Sequence, residues 1–127
     1  MKPFIVGAAL LASAWGGYRL TRAAGPADAE GPVVVVAHVD VMPQFTAPGR
    51  DLLRQFAADA RRDPGALRVD VFEEIGRPNH STVVATWADR RAYDDHVANE
   101  RTRAHRARLQ PMLGSPFDER LHRISAP

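Results

Sequence analysis

A chain of 127 residues, 45% hydrophobic and 25% charged, has room for one domain core, and the absence of cysteine excludes disulfides, a thiolate nucleophile and Cys-ligated metal. The formal charge of +2 is a property of the first 28 residues: of 17 basic and 15 acidic residues, Lys2, Arg19, Arg22 and Asp28 lie there, and the remainder from position 29 onward balances at 14 against 14. A neutral folded part excludes nucleic acid as a partner on charge grounds.

Residues 1–30 read as a secretory signal or N-terminal membrane anchor. Lys2 opens a short positive region, Phe4 to Trp15 is apolar, and Gly25 to Pro32 is loose and small-residued. The apolar run falls short of the roughly 20 residues that span a bilayer, so cleavage is favoured over anchoring. Either outcome places residues 31–127 outside the cytoplasm, periplasmic or secreted, with membrane contact only through an uncleaved leader.

Val33 to Met42 is β-branched and closed by Pro43, the pattern of a central strand. In its second half His38, Asp40 and Met42 share one face, and Ala37, Val39 and Val41 the other. Thr46 as cap, Pro48 just inside, and Leu52, Leu53, Phe56, Ala57 and Ala60 at helical spacing predict an amphipathic helix ending at Asp63-Pro64-Gly65. Leu67 to Ile75 alternates, Gly76 to Asn79 turns, and Ser81 to Trp87 returns, which is a hairpin. Asp89 caps a second helical region running to Leu113, with Asn99 as a break point, and Phe117 to Ile124 is a final strand. The order β-α-β-β-α-β predicts an α+β, ferredoxin-like domain with an antiparallel sheet and helices on one face. Strand one is apolar on both faces, so a second copy is expected to cover the open one, giving a homodimer.

These elements resemble those of the antibiotic biosynthesis monooxygenase (ABM) family. The likeness lies in the strand from Val33 to Val41, Leu52 to Phe56, Gly65-x-x-x-Asp70-Val71-Phe72, Asn79, the Trp87 that ends strand three, His96 in the next helix, and Pro116-Phe117-Asp118. It implies a dimeric α/β barrel and a cofactor-independent monooxygenase, similar to quinol monooxygenases, that oxidises a small aromatic or quinol-type molecule with O2. The family's Glu two residues before the Trp is replaced by Ala85; its hydrogen bond is then absent or supplied by Glu73, Glu74 or Asp40. The alternative is a non-catalytic dimeric module that binds a hydrophobic ligand or haem, and a small isomerase or lyase on the same fold is a further reading.

Such a reaction needs a base near neutral pKa, a hydrogen-bond donor and apolar walls. His96 has the right ordinary pKa and shares a helical face with Tyr93. Trp87 shares a strand face with Val83 and Ala85 and can wall a pocket. His38 and Asp40, polar on an apolar strand, are second candidates for chemistry. Phe72 and Asn79 complete the substrate-binding set that the resemblance implies. His38, His80, His96, His105 and His122 include no His pair at metal-binding helical spacing and no His-Glu-x-x-His pattern, so no metal is expected. Phosphate-binding glycine loops and the nucleophile elbow are also missing.

Overall fold

The computed structural model describes residues 31–126, so the leader lies outside the described residues. Four strands, β1 (Val33–Asp40), β2 (Ala66–Glu74), β3 (Arg77–Trp87) and β4 (Asp118–Arg123), form one antiparallel sheet in the order β2-β3-β1-β4. Helices α1 (Thr46–Ala60), α2 (Arg90–Ala98) and α3 (Glu100–Leu109) cover one face, completing the ferredoxin-like α+β arrangement.

Period-two alternation decides which strand residues form the core. Val33, Val35, Ala37, Val39 and Val41 of β1 and its extension are buried, as are Val69 on β2 and Val83, Ala85 and Trp87 on β3. Leu52, Leu53, Ala57 and Ala60 of α1 pack onto them. Each fully buried Val or Leu contributes about 1.5–3 kcal/mol, and Trp87, 1% exposed, is the largest of the completely buried side chains. The opposite face carries Val34, Val36 and His38 from β1, paired with His122, Arg120 and Asp118 of β4 and with Thr86, Val84 and Thr82 of β3. Among the described residues no helix covers that face: it is an apolar centre with a charged rim.

Local details differ from the sequence reading in three places. Thr46 does not cap α1: a single 3-10 turn at Pro43–Phe45 leads straight into the helix, and the Thr46 hydroxyl donates to the Pro43 carbonyl at 2.7 Å. The hairpin is tighter than Gly76 to Asn79, because Glu74 already pairs with Arg77 across Ile75 and Gly76, and Gly76 takes a φ of +84°. Register shifts between Ala66 and Arg68 and between Glu73 and Glu74 interrupt β2, so Leu67 turns outward, 61% exposed. Asn99 does divide the second helical region. Its extended backbone ends α2, and its side chain accepts from the Arg101 N–H to start α3.

Gly65 ends the α1 to β2 loop at φ +81°, with the α2 backbone close against it; a Cβ there would stand 2.5 Å from Ala92 Cβ. Gly65→Ala is expected to lower stability by about 2 kcal/mol or more, from the left-handed backbone and the clash together. A urea midpoint unchanged from wild type would contradict this account of how α2 is seated.

Candidate active site

The packing of α1, α2 and α3 on the sheet leaves a cavity of about 40 Å³. Its walls are Val35, Ala37, Val39, Leu52, Leu53, Val69, Val83 and Ala85, with Trp87, Phe56, Tyr93 and Phe117 supplying aromatic surface. Its polar members are His96, His105, Arg106 and Glu119. That volume admits a few waters, whereas a cavity that takes up benzene measures about 150 Å³, so a ring enters only as a side chain moves aside. Haem, whose macrocycle is many times larger, does not fit.

His96 sits in the last turn of α2, 5% exposed, its ring stacked on Trp87 with centroids 4.4 Å apart. Its Nδ1 lies 2.7 Å from Oδ2 of Asp63, itself only 8% exposed, while Oδ1 of Asp63 accepts from Arg101 Nη2 at 2.6 Å. The Thr102 hydroxyl approaches the same Nδ1 at 3.3 Å. Nδ1–H donating to the carboxylate leaves Nε2 as a bare acceptor, and Nε2 has no partner among the described residues. Burial lowers the His96 pKa from its ordinary 6.5, and the Asp63 hydrogen bond and charge oppose that shift without cancelling it. The imidazole is therefore neutral at neutral pH and able to take a proton.

Tyr93 is no base. Burial, then its hydrogen bond to Glu119, push its pKa up to about 12, so it remains a donor and bonds Glu119 Oε1. Arg106 donates to both oxygens of Glu119 at 2.9 Å and lies over the Phe117 ring at 5.2 Å. Ala85 leaves the sheet without a carboxylate at its own position, and the carboxylate that lines the cavity is Glu119 of β4. Glu73 instead pairs with Arg50, and Glu74 with Arg77.

Of the residues singled out from sequence, His96, Trp87, Tyr93, Val83 and Ala85 meet at this cavity. His38 and Asp40 do not: they stand on the open sheet face. His38 approaches Thr82 Oγ1 at 3.3 Å, and Asp40 pairs with His80 at 3.0 Å and accepts from Ser115 at 3.1 Å. Phe72, 52% exposed, also belongs to the face away from the helices. Asn79 is used structurally, its side-chain N–H donating to the Val41 carbonyl at 2.9 Å. Sequence reasoning missed Asp63, read only as a helix stop, together with His105, Arg106 and Glu119. An acidic residue before Pro-Gly gives no sign of burial, but Glu119 in alternation with Leu121 on a strand does mark the inward face. Among the described residues no group of three or more His, Asp or Glu side chains is placed to hold a metal.

The sequence pattern of the family described as antibiotic biosynthesis monooxygenase matches residues 32–108. Rv0793 from Mycobacterium tuberculosis is similar in structure, with 21% identity and a TM-score of 0.70, over 76% of this chain and 97% of that one. SnoaB from Streptomyces nogalater, described as a cofactor-independent oxygenase, aligns at 21% identity and a TM-score of 0.69 over 76% of this chain and 96% of its own. A conserved protein from Methanosarcina mazei Go1 aligns at 19% identity and a TM-score of 0.69, over 76% and 95%. At these identities the structural likeness speaks for the fold. A comparison with curated proteins finds no match. The family pattern spans more than half of the chain and takes in β1, the hairpin, Trp87 and His96, so this chain belongs to the antibiotic biosynthesis monooxygenase family.

Proposed function

We propose that the protein is a cofactor-independent monooxygenase that oxidises a small phenolic or quinol-type ring with O2, with His96 as general base. The observation that carries this reading is the buried Asp63–His96 pair, whose imidazole lines a cavity with apolar and aromatic walls. Nε2 accepts the proton of a substrate hydroxyl, and the imidazolium so formed is held by Asp63, whose second oxygen is already bound by Arg101. The phenolate is left in dry surroundings, where its electrons are available to O2 rather than to solvent. For a quinol, oxidation to the quinone and insertion of oxygen into one ring C–H bond withdraw two electrons each. Together they reduce O2, with one oxygen atom kept in the ring and one released as water. Membership of the family and the description of SnoaB as cofactor-independent support the reading.

The reading extends to assembly and location. The apolar centre of the open sheet face, Val34, Val36 and Val84, suits a second copy of the chain, closing a dimeric barrel, and the leader suits export. By light scattering the protein without its leader should have twice the chain mass, and Val36→Glu should halve it. A monomeric wild type would overturn the dimer.

O2 uptake with added quinols should fall by about 100-fold or more in His96→Ala, and equal uptake by both proteins would remove His96 from the mechanism. The rate should be present at neutral pH and lost on acidification, with its midpoint below 6.5 because burial lowers the His96 pKa. Asp63→Asn removes the charge that favours imidazolium. Its acid limb should therefore move to still lower pH while the plateau rate falls; a limb that moves up would contradict the assigned pairing.

A further inference from the structure

The cavity contains a second imidazole that the reaction above does not use. His105 of α3 lines it and is 7% exposed. Its Nε2 lies 3.0 Å from Oδ2 of Asp59, a carboxyl held below its usual pKa chiefly by that hydrogen bond and so ionised. Nε2–H donates to the carboxylate, which leaves Nδ1 as a bare acceptor. That Nδ1 is the one buried side-chain N or O atom without a hydrogen-bond partner among the described residues. Buried acceptors are rarely left unsatisfied, and one beside a cavity points to a donor that arrives with a ligand.

The two imidazoles are built alike. Asp59 in the last turn of α1 and Asp63 in the loop after it are four residues apart, each fixes one ring nitrogen, and each leaves the other nitrogen of its imidazole as an acceptor. The Phe56 ring stands edge-on to both imidazoles, with centroids 5.6 Å from His96 and 5.9 Å from His105. Phe56 is only half-buried, so it can swing toward solvent, and an aromatic ring taking its place would neighbour both imidazoles.

We propose that His105, oriented by Asp59, is a second acceptor subsite of the cavity, engaged by a second hydroxyl of a ring that displaces Phe56, so that the site selects dihydroxylated over monohydroxylated rings. This inference rests on the reading of the cavity as the substrate site. His96 remains the base in the reaction; His105 binds and orients.

The test is anaerobic calorimetry with hydroquinone and phenol. Wild type should bind hydroquinone about tenfold more tightly than phenol. In His105→Phe that preference should vanish. A preference that survives in His105→Phe overturns the subsite and leaves the cavity reading intact. Failure of wild type to bind either ring overturns the cavity reading and the subsite with it. Nitrogen NMR of the wild type gives a measurement that does not depend on the variant folding. The His105 Nδ1 resonance should move on adding hydroquinone and stay put with phenol; no movement with bound hydroquinone overturns the proposal.

Discussion

One buried carboxylate holds the helical layer together. Asp63 lies in the loop after α1, His96 ends α2 and Arg101 opens α3, and the two bonds to Asp63 connect all three helices at one point. A lone ionised group so far from water would cost several kcal/mol, so its partners are obligatory. The break at Asn99 makes this possible. A continuous helix would carry Arg101 round its axis away from His96, whereas the extended Asn99 backbone lets residues five apart approach the same carboxylate. Structure and chemistry converge here, since the interaction that seats the helices is also the one that sets the tautomer of His96.

The cavity owes its character to the same arrangement. Sheet residues facing the helices are mainly small or branched, Ala37, Ala85, Val35 and Val83 among them, and they leave space that the aromatic side chains of Phe56, Trp87 and Tyr93 only partly take up. Polar groups enter at its edges, each bound to a partner that restricts its proton: Tyr93 to Glu119, Glu119 to Arg106, His105 to Asp59. An apolar space with few, oriented polar groups is what a site needs to hold an anion without hydrating it.

Much of this was legible in the residues. Alternation in β1 and β3 separated the core face from the open one, and the Asp89 cap and the break at Asn99 located both helices of the second crossover. His96 and Trp87 came from a resemblance and proved to be stacked on each other. What sequence could not convey was the partnership of residues far apart in the chain. Asp63 with His96, His105 with Asp59 and Arg106 with Glu119 are tertiary pairs, and nothing local in a helix stop or an Arg-rich helix identifies them. His38 and Asp40 attracted attention for a sound reason, since polar groups on an apolar strand need partners, but those partners are Thr82, His80 and Ser115 on or beside the open face.

The two register shifts in β2 bear on how the molecule meets others of its kind. An edge strand with a long, straight row of free backbone groups invites further strands to add without limit, as in fibres. Here the outer strand is interrupted near both ends, and the opposite edge is the six-residue β4, with Asp118, Glu119, Arg120 and Arg123 along it. Growth along the plane of the sheet is thereby discouraged at both margins. Attraction is left to the flat face, and in the proposed dimer the pairing of two such faces would leave nothing for a third molecule to join.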